Sequence, residues 1–117
     1  MNHSFKSNCL TTAYDFEIAI RDIHPSEELT DDYGYLNISA PFKALDEDAE
    51  RKIVYPDNML NFHKVWDKQI AAVFSKINSL EQPLDPIITS TTRKEMNDVL
   101  NGSKKLASIV ENYYKEV

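Results

Sequence analysis

The chain has 117 residues, 42% hydrophobic and 27% charged, with a formal net charge of −6. That length suits one domain, because two separate cores would each be too small for burial to outweigh chain entropy, and the composition excludes a disordered tail. The acidity is confined to one half: residues 1–56 hold eleven acids against five bases, and residues 57–117 hold eight of each. Such a field repels phosphate backbones and anionic membranes and attracts a basic protein surface.

Glycine occurs only at Gly34 and Gly102. Loops that cradle phosphates need several glycines close together so that backbone amides can approach the ligand, and the nucleophile elbow of serine hydrolases needs small residues around its turn. Neither can be built here, and no nucleotide or other cofactor is expected. The start, "MNHSFKSNCLTT", has no apolar centre of a signal peptide, and no apolar run approaches the roughly 18 residues of a membrane span. A soluble, cytoplasmic protein is the expectation. Cys9 has no second cysteine with which to pair, and is expected to be structural or incidental.

In chain order, residues 1–12 read as a flexible N-terminal segment. "YDFEIAIR" alternates Tyr14, Phe16, Ile18 and Ile20 with Asp15, Glu17, Ala19 and Arg21, the period-two pattern of a half-buried strand; spacings of three and four from Ala13 to Ile23 leave a short helix as the alternative. "HPSEELTDD" has the composition of a loop. "YLNISAPF" alternates again, with Leu36, Ile38 and Ala40 on one side, and ends at Pro41, which cannot donate to a ladder. "LDEDAERK" reads as a charged turn or one short helix, and "IVYP" as a third strand.

The period then changes. From Asp57, a candidate N-cap, the residues Met59, Phe62, Trp66, Ile70, Val73, Ile77 and Leu80 recur at three and four, predicting one helix of about six turns. "QPLDP" ends it. Thr92 and Glu95 have the spacing of a capping box, and Met96, Val99, Ser103, Leu106, Val110, Tyr113 and Val117 follow at gaps of three and four. Asn101-Gly102 interrupts that stripe, predicting a kink or two helices meeting there. The sum is an α+β domain over 1–117: a small antiparallel sheet of two or three strands in the N-terminal half, packed against two long C-terminal helices. A mostly helical domain is the alternative.

Catalytic constellations are sparse. His63 and Asp67, one turn apart on the shoulder of the apolar face, can pair as imidazole and carboxylate. A zinc site needs at least three ligands, and no local spacing commits His3, His24 or Glu27 to the same place. Neither a metal nor a catalytic residue is therefore assigned. Glu27, Glu28, Asp31 and Asp32 lack the order of a calcium loop but stand beside Tyr33 and Tyr35, a composition suited to covering a basic face. The leading expectation is a non-enzymatic module that binds a basic protein through those six residues, acting as an inhibitor, an immunity or antitoxin-like factor, an adaptor or a chaperone. A homo-oligomeric assembly subunit joined through Leu106, Val110, Tyr113 and Tyr114 is the alternative. An enzyme using His63 is the third reading. Tyr113 and Tyr114, being adjacent, cannot both face inward.

Overall fold

The computed structural model describes residues 1–114; Val117, the last member of the C-terminal stripe, lies outside them. The architecture is α+β, with small strand pairs in the N-terminal half and two helices in the C-terminal half. Three separate pairs of strands replace one continuous sheet. Strand β1 (Asn2–His3) runs parallel to β4 (Thr30–Asp31). Strand β2 (Cys9–Thr11) pairs antiparallel with β3 (Glu17–Ala19), with Leu10 opposite Ile18. Strand β5 (Phe42–Lys43) pairs antiparallel with β6 (Ile53–Val54).

The alternation in "YDFEIAIR" is realised in β3 and its flanks. Tyr14, Phe16, Ile18 and Ile20 all pack against the core, while Asp15, Glu17, Ala19 and Arg21 are exposed. The turn before it closes on Thr12, whose amide and hydroxyl both donate to the Phe16 carbonyl at 2.9 and 2.8 Å. Asp15 takes the left-handed conformation there, with φ 62°, which Asp tolerates better than most side chains.

Residues 1–12, expected to be loose, are instead part of the core. Ser4, Asn8, Cys9, Leu10 and Thr12 are buried. Their polar composition conceals this because Asn8 replaces a ladder partner with its side chain: its amide nitrogen donates to the Glu28 carbonyl at 2.7 Å and its oxygen accepts from the Thr30 amide at 2.9 Å. "YLNISAPF" is also corrected. A 3₁₀ turn covers Tyr33–Tyr35, Asn37 has φ 56°, and only Phe42–Lys43 is strand. Asp32 causes this by capping the turn, accepting from the Gly34 amide at 2.8 Å, so the backbone curls before the alternation can extend.

Helix α1 (Asn58–Phe74) continues as a 3₁₀ stretch over Ser75–Ser79. It buries Met59, Trp66, Ile70 and Phe74, whereas Leu80 is exposed. The helix thus ends before the prolines rather than at them. Helix α2 (Ser90–Leu100) begins one turn earlier than the capping-box spacing implies: Thr89 is the cap, its hydroxyl accepting from the Thr92 amide at 3.2 Å, and Thr92 is buried inside the helix. Gly102, at φ 84°, ends it, in keeping with the preference for glycine just past a helix C-terminus.

Among the described residues, no α-helix continues from there. The chain loops through 101–108 and makes one 3₁₀ turn, Ile109–Asn112. The core joins both halves: Leu10 and Tyr35 from the first, Met59, Trp66, Ile70, Phe74, Met96 and Ile109 from the second.

Candidate functional site

A cluster of bonded polar side chains lies where residues 1–4 meet 28–35. β1 and β4 are parallel, so Asn2 and His3 lie beside Thr30 and Asp31. His3 Nδ1 accepts from the Tyr33 amide at 3.0 Å, and the Tyr33 hydroxyl donates to the Met1 carbonyl at 2.8 Å. That places the proton of a neutral His3 ring on Nε2, which is buried and has no partner. Desolvation lowers the His3 pKa, with the Arg51 charge adding to it and Asp32 and Glu47 opposing. The ring packs edge-on against Phe5 and Phe42, at 4.4 and 5.9 Å between centroids, and lies 5.2 Å from Tyr33.

Behind this surface, Asp31 and Asp32 turn inward, 4% and 2% exposed respectively. Asp32 forms an ion pair with Arg51. Arg51 also donates to Asn58 Oδ1 at 2.8 Å, which joins the 51–58 segment to the start of α1. Gly34 is required at this crossing: a Cβ there would stand 2.9 Å from Arg51 Nη2, 2.9 Å from Asp32 Oδ1 and 3.1 Å from Asn58 Cβ.

The Tyr35 hydroxyl lies 2.7 Å from Asp31 Oδ1 and 2.8 Å from the Cys9 carbonyl, and accepts from the Asp32 amide at 3.0 Å. Burial pushes this phenol far above its usual range. Burial also raises the Cys9 thiol, helped by Glu17 and Asp31 and opposed by Arg21; the thiol is inert packing, since reactivity requires the thiolate. Glu47 is desolvated, but hydrogen bonds from the Ser4 hydroxyl and Phe5 amide and the charges of His3 and Lys6 lower its pKa overall.

The six residues expected to bind a partner are gathered here but do not form one face. Asp31, Asp32 and Tyr35 are buried and bonded within the chain, and Tyr33 is half-buried. Glu27 is held by Arg21 at 2.8 Å. Glu28 is exposed, accepting from the Asn2 side chain. The acidic surface therefore consists of Glu28 with other exposed carboxylates of the first half, among them Asp15, Asp22, Asp46, Asp48 and Glu50.

His63 and Asp67 do not pair. His63 Nδ1 lies 3.1 Å from the Met59 carbonyl, while Asp67 accepts from the Ser108 hydroxyl and the Ile109 amide, at 2.5 and 2.8 Å. Two donors from a distant segment outcompete one imidazole on the same helix, a contest that local spacing cannot register. Leu106, Val110 and Tyr113 pack against the chain's own core. Tyr114 alone of the candidate oligomer residues is exposed, at 69%, so one of the two tyrosines faces outward as expected. A continuous C-terminal helix is not available for assembly.

Sequence reasoning missed Arg51, Asn8, Glu47 and the role of His3 beside Tyr33. Their partners lie 7 to 43 residues away, and no local pattern marks them. Among the described residues, no three His, Cys, Asp or Glu side chains gather to hold a metal ion, and no helix is long and apolar enough to cross a membrane.

Comparison with known proteins gives one finding. The family model described as the SET domain matches residues 1–34; no curated protein and no solved structure matches. The match covers under a third of the chain and coincides with the segment whose two ends are joined by β1, β4 and the His3–Tyr33 contact.

Proposed function

We propose that this chain carries part of a SET-type methyltransferase, and that its acid-rich first half attracts a basic protein segment as methyl acceptor. One observation supports this reading above the rest: the two ends of the matched segment, residues 1–34, meet at Asn2, His3 and Tyr33. When bound, S-adenosylmethionine would supply an electrophilic methyl group. The residues at the crossing fit a polar ligand at one point, because the buried Nε2–H of His3 lacks an acceptor and an unpaired buried donor favours a ligand that completes it. His3, whose pKa is lowered by burial, would orient that ligand. Tyr33, anchored to Met1, would fix the adjoining backbone. The exposed carboxylates raise the local concentration of a cationic acceptor and should make its association fall with added salt.

Isothermal titration with S-adenosylmethionine, followed by transfer of its labelled methyl group to a lysine-rich protein, tests this. Binding that weakens in His3→Phe with the melting temperature retained supports the reading. Absence of both heat and transfer with the unaltered chain overturns it.

A second reading is favoured by the acidic surface alone: a non-enzymatic module that covers a basic protein, as an inhibitor, immunity-like factor or adaptor in the cytoplasm. Salt-sensitive capture of a basic partner with no methyl transfer would select it over the first.

A further inference from the structure

Asn101-Gly102, the step that interrupts the C-terminal stripe, enters neither reading of function. Of the nine asparagines in the chain, Asn101 alone is followed by glycine. It is the C-cap of α2, and Gly102 follows it at φ 84°. Both are exposed, as are Ser103, Lys104 and Lys105, and a Cβ placed on Gly102 would meet no atom within 4 Å beyond its chain neighbours. The Gly102 amide donates to the Val99 carbonyl at 3.1 Å, a bond at a helix end, where opening costs little.

The surroundings of the Asn101 side chain favour attack on it. The Ser103 amide donates to Asn101 Oδ1 at 2.9 Å, the atom on which negative charge develops when Cγ is attacked, so it stands as an oxyanion donor. The attacking group is the backbone nitrogen of Gly102, whose lack of a side chain leaves the approach open. Other asparagines are tied down: the Nδ2 groups of Asn8, Asn37 and Asn112 donate to backbone carbonyls at 2.7, 2.8 and 3.0 Å. Asn78 is exposed like Asn101 but precedes Ser79, which makes it an internal comparison.

We propose that Asn101 is a site of spontaneous deamidation, and that its main product, isoaspartate, loosens the last turn of α2. The Gly102 nitrogen gives its proton to hydroxide and bonds to Asn101 Cγ; the Cγ–Nδ2 bond breaks, and Nδ2 leaves as ammonia with a proton from water. Water then opens the resulting succinimide ring and returns a proton to the Gly102 nitrogen. Opening at the side-chain carbonyl gives aspartate. Opening at the backbone carbonyl, the more electron-poor of the two, gives isoaspartate, with the chain rerouted through the side chain. Either product places a new carboxylate at the C-terminus of α2, the end whose dipole disfavours negative charge. Isoaspartate also lengthens the backbone by a methylene, within a turn closed by the Gly102–Val99 and Lys104–Asp98 bonds at 3.1 and 3.0 Å. The site does not rest on methyl transfer.

The full chain is held in warm, mildly alkaline buffer made with heavy-oxygen water until a free peptide of residues 97–105 has converted fully, and is then mapped by digestion and mass spectrometry. Solvent oxygen is expected at Asn101 ahead of Asn78 and every other asparagine, with isoaspartate exceeding aspartate. The rate should rise with pH, since the attacking nitrogen must lose its proton. Asn101→Gln, which would need a six-membered ring, should lose the product. The isoaspartate fraction, separated by anion exchange, should melt below the starting chain and below Asn101→Asp, which carries the charge without the added methylene. Intact Asn101 when the peptide has converted, aspartate without isoaspartate, or earlier reaction at Asn78 would each overturn the assignment. An isoaspartate fraction that melts with the unaltered chain would overturn the loosening of α2.

Discussion

The first 35 residues and the helical half are held together by different interactions. β1 and β4 have two residues each, and β2 and β3 three, too few for ladder bonds alone to fix their arrangement. Side chains complete it: Asn8 bridges to Glu28 and Thr30, Tyr35 joins Cys9 to Asp31, and Asp32 joins Gly34 to Arg51. In the helical half, the buried residues Met59, Trp66, Ile70 and Phe74 form a repeating apolar stripe on one element, and polar contacts are secondary. The lesson is that a buried segment need not look apolar when its hydrogen bonds are satisfied internally.

This contrast can be broken most directly by deleting one anchor of each kind. Trp66→Ala removes a large buried aromatic and should cost about 3–5 kcal/mol. Asp32→Ala removes far less volume but leaves Arg51 and the Gly34 amide without their carboxylate, and should cost about 3 kcal/mol. Urea unfolding monitored by circular dichroism measures both. A cost below about 1 kcal/mol for Asp32→Ala, comparable to a single surface pair, would show that the first half does not depend on its polar interior.

A smaller test separates the two anchoring modes within the core. Tyr35→Phe keeps the buried ring, which meets Trp66 edge-on at 5.2 Å, and deletes only the hydroxyl. The Asp32 amide then loses its acceptor, and the single hydroxyl proton between Asp31 and the Cys9 carbonyl is lost, so about 1–3 kcal/mol should be lost. A change near zero in the same unfolding measurement would mean that packing alone places this ring.

The helical half was legible because periodicity is a local signal. Spacing alone places Trp66, Ile70 and Met59 on the buried face, and alternation places Tyr14 to Ile20. Helix ends were less legible. Thr92 and Glu95 have the right spacing for a cap, but Thr89 occupies that position, because the chain leaving Asp85–Ile87 is already extended at Ile88. The site was hardly legible at all: Asp31 and Asp32 have loop composition and core burial, and the residues that satisfy them come from elsewhere in the chain. Thr89→Ala sharpens the point. It should lower stability by about 1 kcal/mol through loss of the side-chain cap, whereas Glu95→Ala should leave stability nearly unchanged, since no capping box forms there.

The smallest expected effect bears on the seam between β3 and β4. The Glu17 carboxyl is raised to about 7 by desolvation, then by the hydrogen bond and charge of Asp31, with Thr11 and the amino terminus opposing. Asp31, 4% exposed, meets the Tyr35 hydroxyl rather than a cation, so a protonated Glu17 gains an acceptor there. A carboxyl that binds its proton more tightly when folded stabilises the fold most below its unfolded pKa near 4.5 and loses that contribution as pH rises through about 7. The melting temperature should therefore fall between pH 5 and 8 in the unaltered chain and fall less in Glu17→Gln, whose amide can donate to Asp31 at every pH. The effect is modest because Glu17 is an exposed residue and solvent screens its charge. Equal pH dependence in the two proteins would mean that Glu17 does not hold its proton more tightly in the fold.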